Sequence, residues 1–349
     1  MTPIPFLTPF LLLWSLALGL PVQADVGSAD WPRSWFAAPK TASEIGLTEF
    51  SESPMLAGSR LPPVDNRLPD DPPVFEPLDR VGSFGGKAII TLGDSWQFFN
   101  WEAALTISAD MRTLLPNLAH SWTVGEDGRT TTIHLRKGLK WSDGHPLTSD
   151  DFVFTFNHFW LDPEYSPVTS MLILGGRIER LDDLTFRYVF KEPNPLFVNL
   201  IAQYGNFMVD PEHYFKDLHP AYTDRDTVNE IIQEKGFISW MAYVDSLRNA
   251  RIDDAVEVPT LRAFKVASRT PTMMRYVRNP YYHKVDPQGQ QLPYIDEIDA
   301  EVILDNSQVV TAKVATGQLD FAAYALRTQD IPLLKMGERN NLVDVHVWT

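Results

Sequence analysis

A mixed α/β fold, with strands and helices interspersed along the chain, is predicted by three observations. First, Thr131, Ile133 and Leu135 alternate with polar residues behind the tight-turn signal Glu126-Asp127-Gly128, and with the strand through Trp122 and Val124 they form a β-hairpin. Second, Thr148 stands three residues before Asp151, so a hydroxyl and a carboxylate can satisfy the exposed amides of a helix start. Phe152, Val153, Phe156, Phe159 and Trp160 then recur at helical spacing and make one apolar face. Third, behind the turn Leu181-Asp182-Asp183-Leu184, residues Leu184, Phe186, Tyr188 and Phe190 fall on one side of a further strand.

The chain has 349 residues, 44% hydrophobic and 12% aromatic, enough for two domains with a sizeable core. A net charge of -15 without a run of Lys and Arg argues against a nucleic-acid partner. With no cysteine, disulfides, thiol nucleophiles, thiolate metal sites and lipid attachment through a cysteine are all excluded.

Met1 to Ala24 carries no charged side chain, and its apolar centre, Phe10 to Leu20, is too short for a membrane span of about 20 residues. Val22 and Ala24 occupy the two small-residue places of a cleavage site, so residues 1–24 read as a secretory signal, with an uncleaved anchor as the alternative. Residues 25–80 are rich in proline, which fixes φ and removes backbone donors, so the second part of this stretch is expected to be extended. Leu61, Leu68, Val74 and Phe75 give it apolar anchors, which favours an arm laid on the globular body over a solvated linker.

Gly85-Gly86-Lys87 lacks the spacing and the following Ser or Thr of a phosphate loop, and its glycines read as a turn into the apolar strand 88–92. This strand and the Phe186 strand are expected to share one mixed sheet. Trp96, Phe98 and Phe99 lie just beyond the first strand, where they could line a cleft or belong to the core. Pro193 and Pro195 precede an apolar helix through Phe197 and Leu200. His213 has no partner at metal-ligand spacing in sequence and reads as a packed or surface histidine. Residues 298–304 read as a strand, 307–316 as a helix, and 341–348 alternate as one more strand.

Pro116-Asn117-Leu118-Ala119, Ser121-Trp122, His134 to Gly138, Trp141-Ser142-Asp143-Gly144 and Asp150-Asp151 follow one another in a fixed order. Together with Pro211-Glu212-His213-Tyr214, Arg278-Asn279-Pro280-Tyr281-Tyr282 and Gln290 to Asp296, they resemble the extracellular solute-binding proteins, family 5. The resemblance implies a periplasmic-binding-protein-like II fold. It places lobe I at residues 81–295, an inserted subdomain at about 101–176, and the beginning of a second lobe at 296–349, with the chain ending before that lobe is complete. It also implies a monomeric periplasmic protein, not a lipoprotein, that needs no cofactor and captures a small solute, by default a peptide, for an ABC permease and ATPase complex. By position, Ser95, Trp96 and Phe98 in the segment 93–100, and Tyr165 and Val168 in the loop after the Phe152 helix, are the candidate ligand contacts.

Two other readings stay open. A secreted glycoside hydrolase needs two carboxyls facing one cleft, and nothing in the sequence pairs Glu102, Asp143, Asp150 or Asp151 in that way. A partial chain acting only as an interaction module, or not binding at all, is the third.

Overall fold

The structure, a computed structural model, describes residues 36–92, 102–166, 173–249, 253–303, 307–322 and 326–345. Its strands are β1 (Lys87–Thr91), β2 (Leu105–Ile107), β3 (Leu114–Pro116), β4 (Ala119–Val124), β5 (Thr130–Leu135), β6 (Gly176–Arg180), β7 (Thr185–Phe190), β8 (Phe264–Arg269), β9 (Met273–Arg278) and β10 (Glu297–Glu301). Its helices are α1 (Ser149–Thr155), α2 (Phe197–Tyr204), α3 (Glu212–Phe215), α4 (Arg225–Glu234), α5 (Trp240–Arg248), α6 (Ser307–Ala315) and α7 (Ile331–Arg339).

The hairpin β4–β5 and the strand β7 form where the alternation places them, in an antiparallel sheet of order β4-β5-β7-β6 with Ile133 opposite Phe186. α1 starts on the expected capping box: the Thr148 hydroxyl accepts from Asp150 N–H, and Asp151 accepts from Thr148 N–H at 2.9 Å. The helix continues through a π-helical turn, Phe156–Trp160, so its apolar residues serve two cores. Phe152 stacks on Phe186 at 4.5 Å with Phe156 beside it, whereas Phe154 and Phe159 pack with Phe215, Val228, Trp240 and Val244 beneath α4 and α5.

A correction concerns the sheets. The Lys87 and Phe186 strands do not share one; β1 pairs in parallel with β10, in a mixed sheet of order β1-β10-β9-β8. The alternating face of β7 is consumed by the hairpin and α1, while Ile90 packs with Ile298, Ala300, Met274 and Phe264 in a separate core. The strand expected at 341–348 also differs. Its described part, 341–345, is turn and irregular chain, because Asn341 takes a left-handed φ of 56° where α7 ends and Leu342 N–H returns to the Gly337 carbonyl. Val343 and Val345 still pack against α6 and α7.

Residues 36–80 lie along the body in extended chain broken by three short 3-10 turns. Leu68 and Val74 bury with Ala42 and Val285, and Val74 pairs with Val285 as an isolated bridge. Arg67 is fully buried; it pairs with Glu52 and donates to the carbonyls of Pro280 and, at 2.9 Å, Pro62. The stretch at Glu49 approaches so closely that a Cβ on Gly289, whose φ is +80°, would stand 2.2 Å from the Glu49 carbonyl oxygen. Gly289→Ala is therefore expected to cost about 1–3 kcal/mol through strained backbone and displaced arm. A urea titration checks this, and unchanged stability would contradict the docking of residues 49–51.

Candidate functional site

α5 is set by its cap and its spacing: the Ser239 hydroxyl accepts from Ala242 N–H, and Trp240, Tyr243, Val244 and Leu247 bury at i, i+3, i+4 and i+7. This places Arg248 at the helix end with its guanidinium inward. Arg248 grips Asp210 through two hydrogen bonds of 2.9 and 2.8 Å, and it also donates to the Phe207 carbonyl and, at 3.1 Å, to the Tyr165 hydroxyl. Its charge lies 4.4 Å over the Phe159 ring. Burial works against that charge, but Asp210 and Tyr165 outweigh burial and hold Arg248 above the usual arginine range.

The same guanidinium lines a cavity of about 80 Å³ between α5, the segment 255–262 and the hairpin β8–β9. Glu102, Trp141, Arg262, Lys265 and Tyr276 contribute to its wall. Burial pulls the Arg262 guanidinium below its usual range, opposed by the nearby Tyr276. Typical small-molecule pockets reach about 300–1,000 Å³, so a cavity of this size accommodates one end or one group of a ligand.

Glu102 is fixed from behind. Its carboxylate accepts from Lys284 Nζ at 2.9 and 3.0 Å, from the Tyr282 hydroxyl at 2.5 Å and from Asn117 Nδ2 at 2.8 Å, with His283 Nε2 at 3.7 Å. Burial pushes this carboxyl up, yet Lys284, His283 and Tyr282 together hold it below the ordinary glutamate range. The same burial pushes the His283 imidazole down to about 3.

Ser95, Trp96, Phe98 and Val168 lie outside the described residues. The described chain resumes after the 93–100 segment at Glu102, on the cavity wall. Tyr165 is half-buried against Phe159 and Trp240, and it meets the cavity through Arg248. His213 is packed as expected: its Nε2 is 2.8 Å from Asp143 Oδ2 and its ring stacks on His145 at 3.9 Å. Arg248, Arg262, Lys265 and Asp210 were not singled out by sequence. The helical spacing of Trp240 to Leu247 ending on an arginine was the available signal, but its partner Asp210 lies 38 residues away.

The described chain thus combines a mixed sheet, an antiparallel sheet and a polar cavity, the elements of a mixed α/β fold. The profile of the bacterial extracellular solute-binding proteins, family 5, middle region, matches residues 113–346, and the chain belongs to that family. It is 30% identical over 310 residues to the periplasmic alpha-galactoside-binding protein of Rhizobium meliloti (strain 1021), covering 80% of this chain and 42% of that one. Among solved structures it resembles an oligopeptide-binding protein OppA (32% identity, TM-score 0.78, 85% of this chain and 49% of that one). It also resembles the periplasmic binding protein MelB of Agrobacterium fabrum C58 in complex with stachyose (26% identity, TM-score 0.68, 83% of this chain and 46% of that one). The chain thus spans a little under half the length of these relatives. Among the described residues no helix is long and apolar enough to cross a membrane.

Acid sensitivity follows from the Glu102 cluster. The folded state holds His283 well below its ordinary 6.5 and Glu102 below its ordinary 4.5, so the unfolded chain binds more protons as pH falls. Stability from His283 is complete above pH 6.5 and is lost as pH falls toward about 3; that from Glu102 begins to be lost below 4.5. Glu102→Gln leaves the part-buried Lys284 without its anion and is expected to lose about 3 kcal/mol at neutral pH. Chemical denaturation at several pH values should give the variant a shallower decline below pH 4.5 than the parent; equal slopes would contradict the assignment.

Proposed function

We propose that the protein is the periplasmic substrate-binding component of an ABC importer and that its solute is an oligosaccharide of the α-galactoside kind. The observation that carries the choice is the match to the α-galactoside-binding relative, which runs along 80% of this chain. A peptide is the second reading, favoured by the likeness to OppA. The cavity suits a hydroxyl-rich ligand, because its wall combines the polar side chains of Arg248, Glu102, Arg262 and Lys265 with the rings of Trp141 and Tyr276.

In this reading residues 81–295 form the first lobe with its inserted subdomain, residues 296–349 open the second, and 1–24 are a secretory signal. A cavity of about 80 Å³ is then one wall of a trap that a second lobe closes over the ligand. Binding is the whole activity. Both carboxylates on the wall are engaged, Glu102 by Lys284 and Asp210 by Arg248, and Glu102 is held ionised and not raised toward the range of a general acid.

Titration calorimetry with raffinose and stachyose, against tri- and tetrapeptides, tests the choice. Saccharide binding is expected, weakened about tenfold or more, which is about 1.4 kcal/mol, in Arg262→Ala or Lys265→Ala. Peptide binding alone would replace the saccharide with the second reading, and binding of neither would overturn the proposal.

A further inference from the structure

Away from the cavity, three metal-ligand side chains converge. His158 sits in the π-helical turn after α1, Asp162 one turn further on, and His219 in the turn that follows α3. One ring nitrogen of each histidine and a carboxylate oxygen of Asp162 all lie within 4.8 Å of one another. His158 lies within the π-helical turn and Asp162 just beyond its Leu161 cap, so the end of the helix brings the two together.

A second observation points to an occupant. His219 is 2% exposed, and its Nε2 is a buried polar atom without a hydrogen-bond partner. That atom faces Asp162 Oδ2 at 3.8 Å, outside hydrogen-bonding range. Asp162 uses its other oxygen, Oδ1, to accept from Glu164 N–H at 2.7 Å, so Oδ2 points into the group. The rings of Phe154 and Trp240 wall His219 on its apolar sides, Trp240 at 4.6 Å. Tyr222 lies 3.0 Å from His158 Nε2, in place as an outer-sphere partner.

We propose that His158, Asp162 and His219 form a binding site for a divalent transition metal of the zinc type, separate from the solute cavity. Two imidazoles and one carboxylate are a borderline donor set that suits zinc, with the fourth position left to water. Ligand atoms bound at about 2.1 Å stand about 3.4 Å apart around a tetrahedral ion, so the groups draw together by at most about 1.4 Å on binding. His219 Nδ1 accepts from Ala221 N–H at 3.1 Å, which puts the ring proton on Nε2 in the metal-free protein. Capture of the metal at Nε2 by the neutral imidazole moves that proton to Nδ1, which takes the acceptor away from the Ala221 amide. The ion would pin the π-helical turn to the turn after α3, next to Tyr165 and Arg248.

Zinc titration of the full, tag-free chain by calorimetry, with cobalt(II) absorption as a spectroscopic check, tests the site. One equivalent is expected to bind and raise Tm. Asp162→Asn and His158→Gln, both at partly exposed positions and expected to fold, should each weaken binding at least tenfold, while His145→Ala in the stacked His145–His213 pair leaves it unchanged. No zinc binding, or binding insensitive to Asp162→Asn and His158→Gln but lost in His145→Ala, would overturn the proposal. In a folded His219→Ala variant, retained wild-type affinity would do the same.

Discussion

The buried ion pair of Arg248 and Asp210 is the constraint on which the described architecture turns. Arg248 closes α5, Asp210 precedes α3, and the pair binds these to the Phe207 carbonyl and to Tyr165 in the loop after α1. Each group alone would be costly to bury. Together, with hydrogen bonds to every side of the guanidinium, they are tolerated and specify one arrangement of helices beneath the π-helical turn. Arg248 also lines the cavity, so the interaction that orders α3 and α5 orders the site. Glu102 plays the matching part elsewhere in the cavity lining, tied by Lys284 and Tyr282 to the segment that carries the docked arm.

This division of labour explains why so many charged groups are buried in a protein whose cavity is small. Arg67, Arg278 and Glu102 join segments remote in sequence, and none relies on the apolar effect alone. Among the described residues the apolar clusters at the two four-stranded sheets are separate, and charge-assisted hydrogen bonds at well-defined positions add links between segments. A cavity wall held by such paired charges suits the proposed binding role, because donors fixed in advance lose little freedom when a ligand arrives.

Local structure was legible wherever short-range chemistry decides it. The Glu126-Asp127-Gly128 turn, the Thr148 and Asp151 capping box, and the Phe186 to Phe190 alternation all form as their residues indicate. What period-2 patterning cannot contain is which strand lies next to which. β7 has the same alternating face whether it joins β1 or the hairpin, and tertiary packing, with Phe152 and Phe156 of the helix laid on Phe186 and Tyr188, goes with the second. The terminal strand failed for a local reason, since Asn341 ends α7 in a left-handed turn and consumes the start of the alternating run. The cavity was the least legible part. Its charged residues come from separate segments, Glu102, Asp210, Arg248 and Arg262, whose pairing is set by tertiary contact across 38 residues or more in the case of Asp210 and Arg248. Of the side chains chosen from family position, Tyr165 is found supporting this wall through Arg248.

A crystal structure of the protein grown with stachyose tests the account most directly. Sugar density against Arg262, Lys265 and Tyr276, with the Arg248 and Asp210 pair unmoved, is the predicted result. Sugar held elsewhere on the chain, or a wall that rearranges so that Arg248 leaves Asp210 to meet the ligand, would contradict it.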